Sequence, residues 1–211
     1  MSDVGYALGV QKIFTLFFVM LGPLKLLGPF SRATAMLTAA ELRAIAARVT
    51  LIAALTAIAS GFLGRALLES WGIPIFALRL TAGLILFMVA LQLVMLPYQA
   101  PTPGPAPGAA AERPNAMKLV FPMVLTPHGI AAVIILLAIS HGAERTEVIV
   151  AVLLAVMLLN LLSMAFVRPI LGVVAPVLWA VGSVLAVLQM AVSVQIILTA
   201  LRGLGVLGGQ G

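Results

Sequence analysis

Prolines with neighbouring helix breakers interrupt two long apolar stretches of this sequence. The first stretch contains Gly22-Pro23 and Gly28-Pro29, and the fourth contains Thr126-Pro127-His128-Gly129. Proline lacks an N–H donor and clashes with the preceding helical turn, so we expect each helix to break there. A half-helix that restarts inside a membrane points N–H groups and a positive dipole end inward, which suits a carboxylate or another small anion. A plain proline kink explains either site alone, but a matched pair favours a binding site.

Two ionisable side chains accompany these breaks. Histidine side chains exchange protons near neutral pH, so His128 could bind a substrate or relay a proton. The alternative is a neutral imidazole that donates to a carbonyl freed by the break. Lys25, which follows Pro23, could pair with a substrate carboxylate. The alternative is that Lys25 snorkels from near a helix end to the membrane surface.

Three uncharged amides stand inside apolar stretches: Gln92, Asn160 and Gln195. Such residues hydrogen-bond either a neighbouring helix or a ligand. We include them with the breaks as candidate substrate-binding residues. The full candidate set is Gly22, Pro23, Lys25, Gln92, Thr126, Pro127, His128, Gly129, Asn160 and Gln195.

The composition requires a membrane environment for these residues. Of 211 residues, 63% are hydrophobic and 9% charged, against about 45–50% and 25% in soluble domains. The basic residues occur singly at the ends of apolar runs, which argues against nucleic-acid binding despite a net charge of +6. With no Cys and two His, we expect no cofactor and no metal site.

Six apolar runs are long enough to cross a bilayer as helices, because about 20 apolar residues span its core. The motif Thr38-x-x-Glu41 predicts a capping box at the start of the second helix. The sequence thus predicts an all-α integral membrane protein with six transmembrane helices. The runs cover 10–30, 38–63, 75–96, 117–139, 146–167 and 176–201.

The runs form two similar halves, residues 1–97 and 117–202. A Pro/Gly/Ala-rich linker at 98–116 separates them, and residues 203–211 form a flexible tail. Pro23 matches Pro127 at the same offset that relates Phe17 to Phe121. Because each half has three helices, the second enters the membrane from the opposite face. We therefore expect two inverted three-helix repeats with broken first and fourth helices.

Loop charges predict the orientation. Lys and Arg are in modest excess on the side that carries the linker, and cytoplasmic loops are enriched in these residues. The linker is therefore predicted to be cytoplasmic and both termini to lie outside.

Several segments resemble the MarC family of bacterial inner-membrane proteins. They are the first helix at 17–24, the first loop at 37–46, the third helix at 72–87 and the fourth helix at 122–134. The resemblance implies a six-helix protein of the bacterial inner membrane, related to LysE-type exporters and linked to transport of small neutral amino acids. This chain has Gly22 where the family usually has Asp before the proline, so it is identified as a divergent member.

The matched breaks favour a transporter or exporter of small polar solutes that works by alternating access. A structural or regulatory membrane subunit is the alternative, and it would need no broken helices. No acid lies in mid-span and no catalytic triad is available, so we do not expect an enzyme. The expected partners are the lipid bilayer and a small-molecule substrate. A homo-oligomer is also possible as a partner of the chain, and the sequence does not decide between a monomer and an oligomer.

Overall fold

The computed structural model describes residues 9–23, 26–95, 115–140 and 142–205. Within these ranges the chain is helical and contains no strand. The predicted linker lies mostly outside the described residues, as do Lys25 and the end of the predicted tail. The elements in chain order are α1 (Val10–Leu21), α2 (Leu27–Ala33), α3 (Ala39–Ser70), α4 (Ile75–Met95), α5 (Ala116–Leu119), a π-helical turn (Val120–Val124), α6 (Pro127–Ala138), α7 (Ala143–Ala165) and α8 (Val167–Gly203).

Four helices in the described part of the chain are long and apolar enough to cross a membrane. They are Ala39–Ser70, Ile75–Gln92, Ala143–Ala165 and Val184–Gly203. The first and fourth predicted runs are instead divided, so that α1 and α6 each have only 12 residues. At 1.5 Å per residue, a helix of that length covers about 18 Å and cannot cross the bilayer core alone.

The capping box at the start of α3 is confirmed. Thr38 Oγ1 accepts a hydrogen bond from the backbone N–H of Glu41 at 3.3 Å, and the Glu41 carboxylate accepts from the N–H of Thr38 at 2.9 Å. These bonds satisfy two donors that a helix start otherwise leaves unpaired. The end predicted for this helix was wrong, because α3 continues to Ser70 rather than stopping at residue 63.

The start predicted for the last helix was also wrong. It was predicted at Pro176, whereas α8 begins at Val167. Pro169 stands in the first turn of α8, where its missing N–H would have had no partner, and membrane helices tolerate an interior proline such as Pro176. Residue 116, the last residue of the predicted linker, already belongs to α5, which begins at Ala116.

The two short helices lie in the middle of the bundle. Six of 12 residues are buried in each of α1 and α6, whereas at most 44% of the apolar window is buried in any of the four long helices. Helix α1 packs against α6, α7 and α8, and α6 packs against α3 and α4. The fold thus surrounds the interrupted helices with the long ones.

Candidate functional site

The first break follows Leu21, where α1 ends. Gly22 is extended, with φ −79° and ψ 179°, and both Gly22 and Pro23 are buried. A Cβ atom on Gly22 would collide with the carbonyl oxygen of Phe18, so glycine allows the chain to leave the helix here. Beyond the break, the N–H of Leu26 donates to the carbonyl of Pro23 at 3.0 Å. The predicted interruption of the first helix is confirmed.

The second break begins with a π-helical turn. The N–H of Leu125 donates to the carbonyl of Val120, five residues back, at 2.9 Å. Leu125 is then extended, and α6 restarts with Pro127 in its first turn. Single π-helical turns are rare and often lie at functional sites. The predicted interruption of the fourth helix is confirmed.

Thr126 caps the start of α6. Its Oγ1 accepts from the N–H of Gly129 at 3.2 Å, and its carbonyl accepts from the N–H of Ile130 at 3.0 Å. A half-helix that restarts in a membrane is expected to point free N–H groups inward, but the N–H groups of Gly129 and Ile130 are already bonded within the start of α6.

The two breaks meet in the folded chain. A Cβ atom on Gly129 would collide with the side chain of Leu21, and it would lie 3.0 Å from Thr126 Oγ1. The last residue of α1 therefore packs directly on the first turn of α6. The carboxyl end of one half-helix and the amino end of the other converge at this contact.

Asn160 of α7 forms a hydrogen bond with the backbone at the first break. Its Nδ2 donates to the carbonyl oxygen of Leu21 at 2.6 Å, and the residue is 0% exposed. Helix ends leave carbonyls without intrahelical partners, and this bond satisfies one of them. The other amide atom, Asn160 Oδ1, is buried without a hydrogen-bond partner among the described residues. It is an acceptor beside the break, available to a ligand donor or to water.

The remaining candidate residues differ in burial and in their distance from the breaks along the chain. His128 is half-buried in the first turn of α6, next to the meeting point of the breaks. Gln92 lies on an exposed face of α4 and Gln195 on an exposed part of α8, whereas Asn160 is buried. Pro127 is exposed as well. Lys25 lies outside the described residues.

A groove leads toward the first break. It lies between α1, α4, α6 and α8 and is partly open to the outside. On α1 it is lined by Lys12, Leu16 and Met20, which recur at every fourth position and so share one helix face. Met20 precedes Leu21, so the groove connects the end of the bundle at Lys12 with the neighbourhood of the break.

Two buried polar residues without hydrogen-bond partners among the described residues were not predicted from the sequence. Gln189 of α8 is 4% exposed and both of its amide atoms lack partners in the described structure, as does Thr50 Oγ1 of α3. Gln189 offered the same signal as Gln195, an amide in an apolar helix. Sequence alone did not tell which of the two faces inward. No three acidic or histidine side chains of the described ranges lie close enough together to hold a metal ion.

Comparison with known proteins gives one match. A family model described as MarC family integral membrane protein matches residues 9–205, nearly the whole chain. No curated protein and no solved structure matches the chain.

Proposed function

Since this chain belongs to the MarC family of integral membrane proteins, we propose that it transports small polar solutes across the membrane by alternating access. Small neutral amino acids are the substrate class that the family resemblance suggests. The observation that carries the proposal is the contact between the two helix breaks, where Leu21 packs on Gly129 and Asn160 holds the Leu21 carbonyl.

Paired half-helix ends are suited to binding a polar solute inside a membrane. Transporters of several folds place substrates where interrupted helices face each other, because the broken ends supply backbone groups and opposite dipole ends. In this chain α1 contributes a carboxyl end and α6 an amino end. A zwitterion such as an amino acid matches that pair, its ammonium group at the α1 end and its carboxylate at the α6 end.

Individual residues have separate roles in this proposal. Gly22 and Pro23 create the first break, and Thr126, Pro127 and Gly129 create the second. Asn160 Oδ1, buried and unpartnered, accepts a hydrogen bond from the substrate ammonium. His128 lies beside the site as a hydrogen-bonding group or a proton relay. Lys25, Gln92 and Gln195 stay candidate contacts for the states in which the site opens to one side.

We propose six membrane crossings in two inverted repeats. The split helix α1–α2 corresponds to α5, the π-helical turn and α6 together, while α3 corresponds to α7 and α4 to α8. The matched prolines support this correspondence, and so does the reciprocal packing of α3 on α6 and of α7 on α1.

The excess of Lys and Arg on the linker side favours an orientation in the bacterial inner membrane with both termini outside. A single Cys introduced at Gly104 tests this orientation, since the chain has no native Cys. If an impermeant reagent labels that Cys in intact cells, the linker lies outside and the proposed orientation is wrong.

Flux through proteoliposomes tests the function. We expect uptake of labelled neutral amino acids, and we expect Pro127→Leu to abolish it by restoring a continuous helix. Ala53→Leu is the matched control, because Ala53 is fully buried on α3 and its enlargement disturbs packing without changing the sequence of either break. If the wild-type chain moves no amino acid in either direction, the transport proposal fails and the chain is better described as a structural or regulatory membrane subunit.

His128→Gln distinguishes the two roles of His128. If His128 relays a proton, the variant loses flux driven by a pH gradient but keeps exchange of labelled for unlabelled substrate. If it only donates or accepts a hydrogen bond, glutamine leaves both rates nearly unchanged.

A further inference from the structure

The mouth of the groove between α1, α4, α6 and α8 carries two cations. Lys12 of α1 and Arg79 of α4 both line it. Among the described residues, neither side chain forms an ion pair or a hydrogen bond, and none of the lining residues is acidic. The positive charge of the groove is therefore not neutralised within this part of the protein.

Helix stability does not explain these positions. Lys12 stands in the first turn of α1 and Arg79 early in the second turn of α4, and neither helix has an acid in its first turn. A cation at the amino end of a helix is unfavourable, because that end already carries a partial positive charge. An external anion would relieve the unfavourable arrangement.

The interior of the groove is apolar. Beyond the two cations, Gln195 and Thr199 are its only polar side chains within the described structure, and the deeper wall includes Met20, Leu86 and Ala132. From Lys12 to Met20 is eight residues of helix, or about 12 Å at 1.5 Å per residue. That depth accommodates a short apolar body, such as an aromatic ring on a three-carbon chain.

We propose that this groove binds an amphipathic carboxylate, with its anionic group between Lys12 and Arg79 and its apolar body along the inner wall. The ligand is a small solute that enters from the aqueous end of the bundle. Charge complementarity at the mouth selects the carboxylate, and burial of apolar surface along the wall holds the rest of the molecule. This proposal is about ligand binding alone and does not require that the protein transports a solute.

Binding of 4-phenylbutyrate to the full chain in phosphatidylcholine nanodiscs tests the proposal, with empty nanodiscs measuring partition into lipid. We expect saturable binding of the carboxylate and none of 4-phenylbutylamine or 4-phenylbutanol. A charge-assisted contact contributes roughly tenfold in affinity. Lys12→Gln and Arg79→Gln should therefore each weaken binding about tenfold, while Arg79→Lys keeps most of it. The matched control is Arg48→Gln, an exposed charge of α3 outside the groove.

The double variant Lys12→Glu/Arg79→Glu provides a test that does not depend on loss of binding. With both charges reversed, the groove should prefer 4-phenylbutylamine to 4-phenylbutyrate. Equal binding of the three probes, or wild-type affinity in both glutamine variants, would overturn the proposal. So would displacement of 4-phenylbutyrate by phosphatidylglycerol, since the occupant would then be a lipid headgroup. Amino-acid flux is measured independently, so the two proposals can fail separately.

Discussion

The side-chain amide of Asn160 donates a hydrogen bond to the backbone carbonyl oxygen of Leu21 at 2.6 Å, across 139 residues of sequence. This bond links the last third of α7 to the end of α1. A helix end buried in the protein needs partners for its free carbonyls, and here α7 supplies one. The first break is therefore fixed by a distant helix as well as by its own glycine and proline.

Asn160→Leu tests this link. The substitution leaves the Leu21 carbonyl buried without its donor, which we expect to cost about 1 kcal/mol in the free energy of unfolding. Because the break loses an anchor, amino-acid flux should fall at least about tenfold. Thermal unfolding and proteoliposome flux measure the two effects. Asn115→Ala is the control, because it removes a hydrogen bond outside the breaks, from the N–H of Met117 to Asn115 Oδ1. Equal losses of flux in the two variants would contradict a specific role of Asn160 at the break.

Gly129→Ala should destabilise the protein, because the added methyl group meets the side chain of Leu21. Overpacking of this kind costs about 1–3 kcal/mol. Leu21→Ala removes the colliding atoms, so in the double variant the cost of Gly129→Ala should be smaller than in the wild-type background. Additive losses in this double-mutant cycle would show that the two breaks do not touch. Gly203→Ala, where no neighbour lies near the added atom, serves as the control.

Thr126→Val removes the hydroxyl that caps α6 while keeping a similar shape. The N–H of Gly129 then loses its acceptor, and we expect a loss of about 1 kcal/mol in unfolding free energy. Thr126→Ser retains the hydroxyl and should recover most of this stability. A valine variant as stable as the serine variant would mean that the cap does not hold the start of α6.

Gln189→Leu should stabilise the protein. Both amide atoms of Gln189 are buried without partners in the described structure, and leaving a polar group unsatisfied costs about 1–3 kcal/mol. An apolar side chain of similar size removes this penalty, so the unfolding temperature should rise. Gln92→Leu, at an exposed position of α4, should change it much less. A fall in stability for Gln189→Leu would mean that this amide has a partner in the membrane-embedded protein.

The sequence determined the local features, because these depend on neighbouring residues. Apolar runs required membrane helices, Gly22-Pro23 and Thr126-Pro127 required interruptions, and Thr38 with Glu41 required a cap. Each follows from steric or hydrogen-bonding rules that act within one or two turns. The same rules left the ends of long helices uncertain, as Ser70 and Val167 show.

Only the tertiary structure decided which polar groups come together. Asn160, Gln189 and Gln195 are all amides in apolar helices, and the sequence could not separate them because hydropathy does not record the rotation of a helix about its axis. Packing buries Asn160 against Leu21, isolates Gln189 and leaves Gln195 at the groove. Packing also places Lys12 and Arg79, 67 positions apart in the chain, along one groove. Contacts between distant helices depend on how whole faces fit together, so no local pattern in this sequence could predict them.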